Sequence, residues 1–320
     1  MRKPARVTVV AIVVGLALLS VPVLAQLELF RLLPPENAIA NGGQYLVRWQ
    51  DSTNAITESI PSVTWYYSAT ADGGSRRRVA TLLAEDFSQG LQARWRPEGP
   101  FSLDWTPNQE PRTGRRFVTG PVQGGPLLSL SPFPPDSVVS VLVRPRGLGG
   151  RFTIGCRTQS NSPGFQVRFD RDGLSLLESG FPVGQPHFVP GLVPNQWYWF
   201  ELSTRTHRRE VELRLRVFDE SRKRALLCLH PINRRPGNRS LFGEGLIALA
   251  GNADFANVYV DPWSARWIDD PENVLRWDTS EVPSGAYFLI AELYGGPRFR
   301  QEQISPFQIE VRNPQAANDN

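Results

Sequence analysis

Two glutamates one residue apart, Glu210 and Glu212, come nearest to a catalytic pair in this chain. They sit in the run Glu-Val-Glu-Leu-Arg-Leu-Arg-Val-Phe, whose alternation reads as a strand. Alternate strand residues share a face, so their Cα atoms stand about 6–7 Å apart. Glycoside hydrolysis uses two carboxyl groups, and one must stay protonated as the acid. Arg214 and Arg216 continue the same face, and positive neighbours hold a carboxyl ionised. Cross-strand ion pairing on a solvated face therefore accounts for this run better than catalysis does. The histidines His187, His207 and His230 are isolated, with no two at metal-ligand spacing. No G-x-S-x-G elbow occurs.

Binding chemistry is a different matter, because the sequence holds nine tryptophans. Trp49, Trp65, Trp197 and Trp277 alternate with polar neighbours and read as core residues. Trp105 follows Asp104 in Asp-Trp-Thr-Pro-Asn-Gln-Glu-Pro-Arg-Thr-Gly-Arg-Arg, which reads as loop. Exposed there, Trp105 would stack on a sugar ring while Asp104 and its amide neighbours bonded the hydroxyls. The competing reading has Trp105 plugging the open edge of a sandwich. Cys156 and Cys228 are both read as strand residues, Cys156 within the strand expected over 151–157. They form either a cross-strand disulfide or two free thiols, because spacing alone does not fix the Cβ separation.

The elements that must position these residues are strands. Gly (27) and Pro (28) punctuate the chain at short intervals, and convincing amphipathic helices are absent. Strands are expected over 44–49, 62–68, 78–83, 137–144, 151–157, 164–170, 196–202, 211–218, 246–250, 254–260, 273–277, 286–294 and 305–311. Ahead of them stands a leader. Arg2, Lys3 and Arg6 precede the apolar run Val7 to Leu19, and Val23-Leu24-Ala25 forms a cleavage site before Gln26. The rival is an uncleaved anchor, since Val7 to Ala25 approaches the ~20 residues that span a bilayer. Export permits a disulfide. It also accounts for most of the charge: removing Arg2, Lys3 and Arg6 takes three positives from the formal +4 and leaves +1. That removes the main argument for nucleic acid.

Strands from the two ends carry one resemblance. Tyr67-Ser68, Asp72-Gly73-Gly74, Trp277 to Ser280, Val282 to Gly285, Tyr287 and Ser305 to Ile309 stand in the order of an exported bacterial immunoglobulin-like or fibronectin type III-like domain. Residues 27–83 and 265–313 together suit such a sandwich of ~100 residues. The interval 84–264 is then an insertion. Its opening Asp86-Phe87, the central Trp197-Tyr198-x-Phe200-x-Leu202 and the closing Ala253-x-Phe255-x-Asn257-Val258-x-Val260 resemble concanavalin A-like, laminin G-like and glucanase jelly rolls. Laminarinase-type hydrolases of that fold use Glu-x-Asp-x-x-Glu, but here the third carboxylate position is Leu215. The resemblance also implies a structural calcium near the first and last strands, for which Asp86, Asp254 and Asp261 are the donors.

Together these readings describe an all-β exported protein. An immunoglobulin-like sandwich is interrupted by a concanavalin A-like jelly roll, after a signal peptide at 1–25 and before a disordered tail at 314–320. The expected function is non-catalytic recognition of a glycan or cell-surface protein, in a secreted, periplasmic or cell-surface setting. No cofactor is expected beyond that calcium, and membrane contact arises only if the leader stays. The alternatives are a glycoside hydrolase and a structural cell-envelope module.

Overall fold

The computed structural model describes residues 30–313 apart from 36, 52–61, 80–81, 99–104, 148–149, 161, 230, 264–273, 281 and 296–298. The leader, the tail, Asp104, His230 and Trp267 lie outside the described residues. Among the described residues, no helix is long and apolar enough to cross a membrane. The protein is all-β, as its alternating runs require.

Two sheets use residues from both ends of the chain. A three-stranded sheet joins Phe30–Leu32, Gln44–Asp51 and Val274–Asp278. A five-stranded sheet joins Ile39–Ala40, Phe299–Val311, Gly285–Gly295, Ser62–Ser68 and Arg77–Arg78. Their inward residues form one core around Trp49, Trp65, Trp277, Leu275, Leu289 and Ile309. The Asp72-Gly73-Gly74 segment turns the chain between Ser62–Ser68 and Arg77–Arg78, and Gly73 adopts φ +71°, which favours glycine.

The middle of the chain makes a larger jelly-roll sandwich. One sheet has seven strands, running in space from the edge Phe181–His187 through Phe152–Thr158 to Trp95–Pro97. The other has nine, with Glu210–Asp219, Tyr198–His207, Ser137–Pro145 and Ala253–Pro262 side by side at its centre. Strict alternation sends Tyr198, Phe200 and Leu202 into the core between the sheets. Val211, Leu213, Leu215 and Val217 do the same from the neighbouring strand.

Several strands fall outside the expected runs, and two departures bear on the site. The run Arg78 to Leu83 is not one strand: Arg77–Arg78 ends the five-stranded sheet, whereas Leu83–Glu85 pairs with Ala253–Pro262 of the nine-stranded one. The stretch after Trp105 is a hairpin, Thr106–Gln109 against Arg116–Thr119. All four residues of its first strand are exposed, so the run lacks the alternation that marks a half-buried strand.

Candidate functional site

Alternation that fills the core also writes the opposite face of the nine-stranded sheet. Trp199, Glu201, Ser203 and Arg205 face outward from one strand, and Glu210, Glu212, Arg214, Arg216 and Phe218 from the next. Leu142 and Arg144 come from a third. This face divides into an open end, a middle zone covered by the five-stranded sheet, and a basic far end.

The open end holds a cleft of about 330 Å³ lined by Asn108, Phe117, Thr119, Arg144, Arg146, Asn195 and Asp254. Register places Arg144 beside Asp254, Asp254 beside Thr119 and Thr119 beside Thr106, in a row across four strands. Asp254 is buried, and both of its oxygens are engaged. Arg144 Nε donates to one at 2.8 Å and Thr119 Oγ1 to the other at 2.8 Å. The Arg144 guanidinium lies 4.9 Å from the Phe117 ring centre and 4.7 Å from that of Trp197, and it also reaches Glu110 at 3.3 Å. Glu110 takes a further hydrogen bond from Thr113, chief among the contacts that hold its carboxyl below the usual range. The buried floor is therefore a closed network whose charges are matched.

The rim differs. Asn195 is exposed in a left-handed conformation, φ +62°, fixed by its amide donating to Pro145 O at 2.8 Å. Asn108 Nδ2 donates to Thr119 Oγ1 at 3.0 Å, which leaves its side-chain carbonyl as an acceptor. Arg146 is half exposed, and its ion pair with Asp254 is long, 4.0 Å. Donors and acceptors thus alternate around a rigid polar floor, an arrangement suited to hydroxyl groups.

Of the candidate site residues singled out from sequence, only Asp254 lines this cleft among the described residues. Trp105 is 4 % exposed and lies in the jelly-roll core, 5.9 Å from the ring of Phe255, so it offers no sugar platform. Its indole donates to Gly125 O at 3.3 Å. Entering the hairpin, its side chain takes the inward position. Exposed rings occur instead at Phe181, which begins the outermost strand of the seven-stranded sheet, and at Phe188, just past its end. Glu210 pairs with Arg235 at 2.7 Å and Glu212 with Arg214, so both act as ion-pair partners on a strand face. Trp197 lies outside the inter-sheet core, sandwiched among Phe117, Arg144 and Arg115. Trp263 packs on Val138 with Arg214 4.5 Å from its ring centre, within the nine-stranded sheet.

The calcium donors do not assemble either. Asp254 and Asp261 are seven residues apart on one strand, a separation of roughly 20 Å. Asp261 is held by Arg78 at 2.6 Å, and exposed Asp86 accepts from the Ser88 amide at 2.9 Å. These residues do not fit a single ion, and no group of three metal-ligating side chains forms among the described residues.

Cys156 and Cys228 are free thiols on strands of different sheets, so of the two alternatives a cross-strand bridge within one sheet does not form. Burial pushes the Cys156 thiol up to about 12 and raises that of Cys228 as well. In the native protein, thiol reagents at neutral pH should leave Cys156 unmodified, whereas denaturant should release two titratable thiols. A reductant should leave the melting temperature unchanged. Because the folded thiol resists ionisation, its stabilising effect is complete below the ordinary value of 9.0 and is lost as pH rises toward 12. Recovery of a single disulfide-linked peptide from the denatured chain would contradict this assignment.

No protein-family model matches the chain, and no curated protein does. Solved structures do. The carbohydrate-binding module CBM66 from Bacillus subtilis is 15 % identical, covering 52 % of this chain and 94 % of that one, with a TM-score of 0.32. The Bacillus licheniformis beta-glucanase is 9 % identical over 61 % of this chain and 96 % of its own, with a TM-score of 0.37. A Bacillus subtilis protein of unknown function with a galectin-like fold is 10 % identical over 62 % and 97 %, at 0.35. At such identities the similarity concerns fold alone.

Proposed function

We propose that this is an exported, non-catalytic recognition protein that holds a carbohydrate at the open end of the nine-stranded sheet. The observation that carries the reading is the cleft: a buried, charge-matched floor under the exposed polar groups of Asn108, Arg146 and Asn195. A fixed floor limits the ordering cost of binding, and the rim supplies both donors and acceptors. The carboxylates of the outer face favour binding over hydrolysis. Glu110, Asp254, Glu201, Glu212 and Glu210 are each engaged by an arginine. A hydrolase would need one of them held protonated. The leader at 1–25 supports a site of action outside the cytoplasmic membrane, and a mature chain beginning at Gln26 is the expected N-terminal sequence.

A glycan array with the mature protein tests the reading, followed by calorimetry on the bound glycan. The double variant Arg146→Ala/Asn195→Ala removes two rim groups that support no core contact. We expect binding to weaken roughly tenfold or more, while the melting temperature falls only by the small cost of alanine at the left-handed Asn195 position. Failure of the wild type to bind any glycan, or unchanged binding by the double variant, would sink it.

A further inference from the structure

The basic far end of the same sheet carries a second, larger concavity. It measures about 1130 Å³ and runs between the turn His207–Glu210 and the segment Arg235–Phe242. Four arginines line it, Arg208, Arg209, Arg235 and Arg239, against one acid, Glu210. Glu210 is taken by Arg235 at 2.7 Å, and Arg235 remains largely exposed. Among the described residues, no hydrogen bond or ion pair restrains the side chains of Arg208, Arg209 or Arg239. The groove thus concentrates three uncompensated positive charges on a mature chain whose formal net charge is only +1.

Both walls are built to present those charges. His207 pairs with Glu210, so Arg208 and Arg209 form the two-residue tip of a hairpin. Such tips favour Asn-Gly, because the backbone turns left-handed there. Arg208 holds φ +57° instead, a local cost that no side-chain hydrogen bond or ion pair of Arg208 offsets among the described residues. The opposite wall is pinned from beneath. Buried Arg157 donates to Leu241 O at 2.6 Å, and Gln159 Nε2 donates to Ser240 O at 2.8 Å. The Asn238 side chain caps the same short turn through the Ser240 amide. Arg239 therefore projects from a fixed backbone.

We propose that this groove binds an acidic polysaccharide, one carrying carboxylate or sulfate groups along its chain. Guanidinium forks match both oxyanions in a bidentate manner. The volume exceeds the usual ~300–1,000 Å³ of a small-ligand pocket, so several linked units fit. Nucleic acid fits less well, because the aromatic rings in the lining are only the His207 imidazole and half-buried Phe242, with no exposed Trp, Tyr or Phe platform of the kind single strands rely on. The groove is separate from the open-end cleft, and the two stand or fall independently.

The test uses the mature chain with polygalacturonate, dextran sulfate, neutral dextran and a single-stranded oligonucleotide as titrants. Binding is measured by calorimetry at about 50 and about 200 mM salt, where screening of exposed charges differs. One or both acidic polysaccharides should bind, more weakly at the higher salt, and neutral dextran should not. The carboxylate and sulfate polymers separate the two sources of charge. Arg208→Ala/Arg209→Ala and, independently, Arg239→Ala should weaken binding roughly tenfold to a hundredfold with no change in melting temperature. The Arg146→Ala/Asn195→Ala variant should bind the acidic polymer as the wild type does, which separates this site from the cleft. The assignment is overturned if neither acidic polymer binds at the lower salt, or if the arginine variants bind normally. It is also overturned if the oligonucleotide binds more tightly through the same arginines.

Discussion

Arg222→Ala should cost this protein about 3–5 kcal/mol, the range for removing one partner of a buried ion pair. Arg222 sits in the turn after Glu210–Asp219, yet it is only 5 % exposed. Its guanidinium lies 2.9 Å from Glu201, 4.2 Å from the ring centre of Trp199 and 3.1 Å from Thr64 Oγ1. Glu201 and Trp199 belong to the nine-stranded sheet, whereas Thr64 belongs to the five-stranded one. One side chain thus ties the two sandwiches together. Arg78 makes the reciprocal tie, pairing with Asp261 at 2.6 Å and lying 4.0 Å from the Tyr259 ring centre. Truncating Arg222 withdraws a counter-ion from buried Glu201 and leaves space beside Trp199. Urea unfolding followed by tryptophan fluorescence measures the loss. A change below about 1 kcal/mol, the range of an exposed pair, would show that the tie is a surface contact.

Trp277→Ala should cost a similar amount, about 3–5 kcal/mol, through a different mechanism. Trp277 is fully buried, with its ring centre 5.2 Å from that of Tyr67 and 6.5 Å from that of Tyr45. The core it anchors is separate from the jelly-roll core. The cavity therefore weakens one sandwich selectively. Thermal unfolding of the variant should split into two transitions, the earlier one from the sandwich built by the chain ends. Calorimetry reads this directly. A single transition shifted as a whole would mean that the junction at Arg222 and Arg78 couples the two cores tightly.

Strands with an alternating pattern were legible in the sequence, because successive side chains take opposite faces with a period of two. Ser62–Ser68 and Glu210–Asp219 are the clearest cases, and the shared face of Glu210, Glu212, Arg214 and Arg216 followed from the same period. What escaped was whatever depended on distant partners. The Thr106–Gln109 strand has four exposed residues, so nothing in it alternates. Its hairpin context turned Trp105 inward, a choice its polar neighbours left open. The cleft brings together Asn108, Arg144, Asn195 and Asp254 from separate strands and loops, and no local spacing announces that gathering. Arg222 reads as part of a solvated basic run, Arg222-Lys223-Arg224. Only the five-stranded sheet beside it makes it a buried tie. The basic groove had a partial signal in Arg208-Arg209 and Arg234-Arg235, but nothing local places those pairs side by side.

The short strand Leu83–Glu85 has a consequence for how this chain reaches its native state. It pairs with Ala253–Pro262, setting Leu83 opposite Val260 and Glu85 opposite Val258. Tyr67, just upstream, must find Leu289, more than two hundred positions later. Searching for that partner through an unfolded chain carries the entropy of closing a very long loop. Once the jelly roll has formed, its entry and exit are already held side by side. The remaining closure involves only the short connections, a saving of roughly 1–2 kcal/mol in loop entropy. The middle of the chain therefore serves as the template on which its two ends meet, and the early strands Gln44–Asp51 and Ser62–Ser68 must wait for it with one edge of each unpaired. In a chain synthesised from the N-terminus, that wait is the interval of greatest exposure to misassociation.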